Sequence, residues 1–136
     1  MSAFHSQKTC YKDRESLVAA LSAQGYKDVE VHDIAQSLEG YHGDMRSQKA
    51  NVIVRRRFVG SASNDLGWEW DAKSGVFVEH ISDFDKGRHN STWSTALKCH
   101  YTEAVDMKTA RKNGLHFLGR EVVNGKVRLK FMDNRR

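Results

Sequence analysis

Asp65-Leu66-Gly67-Trp68-Glu69-Trp70-Asp71-Ala72-Lys73-Ser74-Gly75-Val76-Phe77-Val78-Glu79-His80-Ile81 is the stretch that decides the fold. Leu66, Trp68 and Trp70 alternate with Asp65, Gly67, Glu69 and Asp71, which is the period of a strand buried on one face. Residues 72–75 supply a turn, and residues 76–81 return as the hairpin partner. A strand paired through so short a turn is antiparallel.

A second hairpin lies at 115–123 and 126–132, on either side of Asn124-Gly125. Asn-Gly suits a type I′ turn because both residues tolerate positive φ and the turn twist matches the strands. The turn fixes a register: Val123 beside Lys126, Val122 facing Val127, Glu121 facing Arg128, Leu118 facing Phe131. It predicts an inward face of Leu118, Val122, Val127, Leu129 and Phe131. Lys126, Arg128 and Lys130 then point outward.

Two helices flank these hairpins. Asp13 stands where an N-cap belongs, Leu17, Val18 and Leu21 follow at helical spacing, and Gly25 supplies the left-handed stop, predicting a helix over 13–24. Ser91 or Thr92 caps a longer helix, with an apolar stripe of Trp93, Ala96, Leu97, Tyr101, Ala104 and Val105 and an end at Gly114. At about 20 residues it spans roughly 30 Å. Residues 3–10 alternate weakly as a first strand, and Val29 and Val31 mark a short second one. Residues 33–49 are polar, hold Gly40-Tyr41-His42-Gly43, and read as a long loop. Residues 50–59 form a strand that begins with Val52-Ile53-Val54 and ends in Arg55-Arg56-Arg57. Residues 60–64 break it, and 82–90 form a polar turn. This order predicts one α+β domain over 1–136: two layers, a largely antiparallel sheet, and two helices on one face.

Composition agrees. The 136 residues carry 22 Lys+Arg against 17 Asp+Glu, a formal charge of +5, with 39% hydrophobic and 29% charged residues. Such a chain is globular, neither collagen-like nor disordered. It contains no proline, so Gly, Asn, Asp and Ser must make the turns. No apolar run is long enough to span a bilayer. The N-terminus lacks a basic start and apolar core, position 2 is not Gly, and the final residues hold no prenylation Cys, so the expectation is a cytoplasmic protein. Cys10 and Cys99 form no zinc or CxxC pattern and fit a reducing compartment.

Several constellations invite chemistry. His80, Asp83, Asp85 and His89 cluster, and Asp83-x-Asp85-x-Gly87 opens like a calcium loop. Position twelve is Ser94 where a bidentate Glu belongs, so an acidic turn before a helix is the simpler reading, and no metal or cofactor is expected. His100 and His116 fall on or beside apolar faces. Cys99-His100 lies about 100° apart on a helix and makes no thiolate pair. Nothing matches GxSxG, HExxH, GxxxxGK[ST] or GxGxxG. Arg55, Arg56 and Arg57, with Lys126, Arg128, Lys130, Arg135 and Arg136, merge into a cationic patch if their strands are close in the sheet. Tyr41, Trp68 and Trp70 then offer stacking faces for nucleic-acid bases. The same cations also serve as a solvated strand face that blocks edge pairing.

Met1-Ser2-Ala3-Phe4-His5-Ser6, Gly40-Tyr41-His42-Gly43, Val52-Ile53-Val54-Arg55-Arg56, Leu66-Gly67-Trp68, Lys112-Asn113-Gly114-Leu115 and Val127-Arg128-Leu129 occur in this order along nearly the whole chain. In this the chain resembles the hypothetical chloroplast reading frame 35 family of plastids and cyanobacteria (domain of unknown function 1257). It departs from that family at Ala3, where the family has His, and at His42, where it has Arg. The resemblance implies an intracellular protein with no assigned activity, an accessory of the AAA-type ATPases beside which relatives are encoded. Three expectations follow. The first is an adaptor that docks on another protein through the Gly40–Gly43 loop, with Tyr41, His42 and Gly43, and the nearby Phe4 and His5. The second is a basic nucleic-acid module using Arg55, Arg57 and Arg128. The third is a small enzyme with His5 or His42 as general base.

Overall fold

Asp13 accepts the Ser16 amide at 3.1 Å and starts helix α1, Arg14–Ala23. Gly25, at φ +111°, lets the chain leave it. The computed structural model describes residues 3–133; Met1, Ser2, Arg135 and Arg136, invoked above, lie outside them. Strand β1 is Phe4–Lys8, β2 Glu30–Glu39, β3 Met45–Val54, β4 Leu66–Asp71 and β5 Val76–Ser82. A short helix α2, Asp83–Lys86, precedes the long α3, Ser91–Lys112, and β6 Leu115–Val123 and β7 Lys126–Asp133 close the chain. The five-stranded sheet has the order β1-β5-β4-β3-β2, antiparallel throughout, with β6 and β7 forming a sheet of their own. The α+β expectation holds, with α1 and α3 covering one face of the larger sheet.

That face is the core. Val52, Val54, Leu66, Trp68, Phe77 and Ile81 of the sheet meet Leu17, Ala20 and Leu21 of α1 and Leu97 and Tyr101 of α3. The Tyr101 hydroxyl accepts the amides of Lys12 and Asp13 at 2.9 and 3.0 Å, tying α3 to the start of α1. Helix α3 is capped by Asn90, which accepts the Trp93 amide, rather than by Ser91 or Thr92. His100 is half-buried, and His116 is exposed. Cys10 and Cys99 are free thiols, both exposed.

Four further readings are corrected. Residues 33–49 are not a loop: β2 and β3 run through them and turn at Gly40–Gly43. The alternation there is carried by Gln, Ser, Lys and Ala rather than by large apolar residues, so hydrophobic period gave no strand signal. Between Val31 and Gln36 β2 advances five positions while β3 advances two, from Val52 to Ala50. Such a bulge bends the hairpin sharply. It folds back over the second sheet face, where Leu38, Ala50 and Ile53 pack with Phe4 of β1. Gly67 of β4 makes room, since a Cβ there would lie 2.8 Å from both Ala50 and Leu38.

The strand expected over 50–59 ends at Val54, and Arg56–Phe58 form a 3-10 turn. The Asp65 carboxylate accepts the Arg56 amide at 2.7 Å and bends the chain there. Trp70 does not share the burial of Trp68. It is 42% exposed, edge-on to Phe77, at an open cleft that it shares with Lys12, Asp33 and Arg14 at the start of α1. Finally, the β6–β7 hairpin has the expected turn, with Asn124 at φ 51° and Gly125 at φ 75°, and the expected register from Glu121 to Arg128. A bulge at Leu118, before Gly119, shifts the rest, so that Phe117 and not Leu118 faces Phe131. The hairpin leans on α3 through Leu115 and Phe117, leaving Leu118, Val122 and Val127 more than half exposed.

One carboxylate lies on the helix-covered face. Glu79 accepts Trp68 Nε1–H at 3.1 Å, and burial lifts its pKa above the ordinary glutamate range despite that bond and the Lys86 charge. A raised acid pKa means that folding opposes ionisation, so the cost grows as pH rises above about 4.3, the unfolded value. Glu79→Gln therefore stabilises the fold at pH 7, and the gain vanishes below pH 4. Urea unfolding of both proteins at the two pH values checks this.

Candidate functional site

The end of the sheet where β2, β3, β4 and β5 meet α2 is built around Asn64 and Asp65, both essentially inaccessible to solvent. Asp65 Oδ2 accepts the Glu39 amide at 2.7 Å and Arg55 Nη1 at 2.9 Å, while Oδ1 takes the Arg56 amide. Asn64 Oδ1 accepts the Tyr41 amide at 2.8 Å, and Asn64 Nδ2 donates to Ser82 Oγ at 2.8 Å. Asp85 Oδ2 in turn accepts the Asn64 amide and the Ser82 hydroxyl. Two consecutive side chains thus join the hairpin tip, the end of β3, the end of β5 and α2.

The tip itself is a tight turn. Gly40 N–H donates to Asp44 O at 2.8 Å and Gly43 N–H to Gly40 O at 2.9 Å. Gly43 sits at φ +79°, a region only glycine enters freely. At Gly40 a Cβ would lie 2.6 Å from the side chains of Arg46 and Asp44, which pair with each other at 2.7 Å. Arg46 covers the Phe4 ring at 5.6 Å from guanidinium carbon to centroid. The Tyr41 and His42 rings meet at 4.7 Å, and Tyr41 remains 46% exposed. Met45, paired with Glu39 beside the turn, is 67% exposed.

Phe4, Tyr41, His42 and Gly43 therefore converge. Phe4 contributes as buried support beneath Arg46. His5 points to the opposite face of β1 and pairs with Asp83, an orienting carboxylate that no sequence spacing revealed. Arg55 lies behind the tip but is enclosed by acids: Nε donates to Glu30 at 2.9 Å and Nη1 to Asp65, with Glu39 at 4.0 Å. The Arg55 hydrogen bond holds the Glu30 carboxyl below its ordinary range, against desolvation and with help from His32. Arg57 is exposed and lies over the Phe58 ring at 4.9 Å. Arg128 is on β7, in the other sheet, 3.8 Å from Glu121, which also pairs with Lys130.

The expected cationic patch is thus divided between two sheets and interleaved with acids. Trp68, one of the proposed stacking residues, is wholly buried. The His80, Asp83, Asp85 and His89 cluster also disperses. His80 binds Ser6 and Glu69, Asp83 binds His5, Asp85 binds Asn64 and Ser82, and His89 binds Tyr26 and the Asp85 carbonyl. Among the described residues no three His, Cys, Asp or Glu side chains are grouped to hold a metal ion, and no helix is long and apolar enough to cross a membrane.

Sequence reasoning missed the roles of Asn64, which read only as part of a polar break, and of Asp65, which read as a polar-face residue at the start of a strand. It also missed Ser6 and Glu69 as partners of His80. Comparison with family models, with curated proteins and with solved structures gives no match.

The hub makes a stability statement. Breaking a buried pair leaves an uncompensated charge, at about 3–5 kcal/mol. Asp65→Ala falls near the low end, about 3 kcal/mol, because Glu30 still faces Arg55. Asp65→Ala combined with Arg55→Met costs less in urea unfolding than the sum of the two single changes, since neither partner of the pair is then left without the other.

Proposed function

We propose that the protein is an accessory module that docks on another protein through the β2–β3 tip. The observation that carries this reading is the exposed Tyr41–His42 ring pair, mounted on a turn whose backbone is fixed to the buried Asn64. Aromatic side chains held on rigid backbone make effective anchors because little conformational freedom is lost on binding. Met45 extends the apolar surface beside them. The partner class follows from the resemblance to the reading frame 35 family, which points to an AAA-type ATPase.

The nucleic-acid reading has less support. Its Arg55 is enclosed by Glu30, Glu39 and Asp65, and Arg128 stands in a separate sheet near Glu121. A guanidinium already paired with carboxylates releases few counterions on meeting phosphate.

Affinity capture with tagged wild type, Tyr41→Ala and the distant surface variant Lys73→Ala separates the outcomes. Wild type and Lys73→Ala retain an AAA-type ATPase, and Tyr41→Ala retains at least about tenfold less, the scale of a 1.4 kcal/mol loss. Equal capture by all three contradicts the assignment of the tip.

A further inference from the structure

The second face of the sheet carries an arrangement that docking does not use. Ser6 of β1 and His80 of β5 are directly opposite in register, and Ser6 Oγ lies 2.7 Å from His80 Nδ1. His80 Nε2 lies 3.0 Å from Glu69 Oε1 on β4. A carboxylate only accepts, so Nε2 carries the ring proton, and Nδ1 of the neutral ring accepts the Ser6 hydroxyl. Both distances are within the reach expected of a nucleophile, its base and the group that orients the base.

Burial is graded across the three. His80 is 5% exposed, whereas Ser6 is open to solvent and Glu69 is part-exposed. The imidazole lies opposite Gly67, whose missing side chain lets Leu38 and Ala50 close that part of the face. The folded-back hairpin thus shields the base and leaves the hydroxyl outside.

The backbone adds a donor. Asp83 N–H bonds to Ala3 O and Thr9 N–H to Phe77 O, which places the odd-numbered residues of β1 in the hydrogen-bonded pairs with β5. Phe4, Ser6 and Lys8 occupy the alternate positions, so their N–H and C=O groups face the open edge of the sheet. Among the described residues no strand pairs with that edge, so the Ser6 amide is placed to meet the oxygen of a carbonyl group that approaches its own hydroxyl.

We propose that Ser6, His80 and Glu69 form an acyl-transfer site, with Ser6 as nucleophile, His80 as general base and acid, and Glu69 as the positioning residue, acting on an acyl ester at the open edge of β1. Ser6 Oγ bonds to the acyl carbon as its proton passes to His80 Nδ1, and the carbonyl oxygen, now negative, accepts the Ser6 N–H. The carbon–oxygen bond to the alcohol then breaks, and Nδ1–H protonates the departing oxygen. Water attacks the acyl-serine, gives its proton to Nδ1, and the Ser6 oxygen recovers it as the acid leaves. Glu69 accepts Nε2–H throughout and stabilises the imidazolium.

A fluorophosphonate probe tests this on the full chain, with labelled sites located by peptide mass spectrometry. Ser6 is labelled about a hundredfold faster than Ser61, another exposed serine, which is the lower range of general-base assistance. Ser6→Ala, a change on an exposed side chain, removes that label and the hydrolysis of p-nitrophenyl acetate. Glu69→Gln slows Ser6 labelling by at least about tenfold, and Glu69→Asp restores part of the rate, with circular dichroism unchanged in each. Labelling of Ser6 no faster than of Ser61 in folded wild type overturns the proposal. So does a rate in Glu69→Gln equal to that of wild type.

Discussion

The buried carboxylate of Asp65 is the constraint on which this structure depends. It accepts two amides and a guanidinium, from Glu39, Arg56 and Arg55, and no solvent reaches it. An ionised group so placed is tolerable only when every lone pair that matters is met by a donor. Those donors come from the end of β2 and the end of β3, so satisfying one side chain fixes where the hairpin ends relative to the sheet. Asn64 extends the same logic to Tyr41, Ser82 and the amide that Asp85 accepts. What the network fixes is arrangement, since shared acceptors tie the ends of β2 and β3 and the short helix α2 to residues 64 and 65.

The two faces of the sheet are consequently different in kind. The helix-covered face is held by apolar area: Leu17, Leu21, Val52, Trp68 and Leu97 are fully buried. It follows the ordinary rule for a two-layer domain. The second face is closed by the hairpin of its own sheet. That cover is thin, with Phe4, Leu38, Ala50 and Ile53 as its apolar contact, and polar groups do the rest. The Tyr41–His42 tip and the Ser6–His80–Glu69 relay both lie on this side, the first held by the hub and the second sheltered by Leu38 and Ala50.

What the sequence disclosed follows from the same division. Where apolar side chains alternate or recur at helical spacing, the element itself was legible, as in the Leu66–Trp68 strand and the stripe of α3, and so were the Asp13 cap and the Asn124-Gly125 turn, although the burial of Trp70 was not. It failed where backbone hydrogen bonds and polar side chains do the work. Residues 33–49 form strands without a hydrophobic signature, because the folded-back hairpin buries only Leu38 and Ala50 as apolar contacts on that face. The β6–β7 hairpin was expected to turn an apolar face inward, yet it meets α3 through Leu115, Phe117 and the Arg120–Glu103 pair and leaves Leu118, Val122 and Val127 exposed, and periodicity cannot say whether a face meets a partner layer. The candidate site was half legible. Gly40 and Gly43 mark a tight turn by composition, and Phe4 and Tyr41 were named beside it. Asn64, Asp65 and Glu69 were not, because an isolated polar residue carries no sign of whether it is buried or what accepts its bonds.

The central claim is that Asn64 and Asp65 hold the hairpin tip to the sheet. Amide hydrogen exchange of wild type and Asn64→Ala measures this most directly. The account predicts that the Tyr41 amide, whose acceptor is Asn64 Oδ1, loses its protection along with Gly40 and Gly43, while the amides of α1 and α3 exchange as in wild type. Unchanged protection at Tyr41 in Asn64→Ala would contradict it.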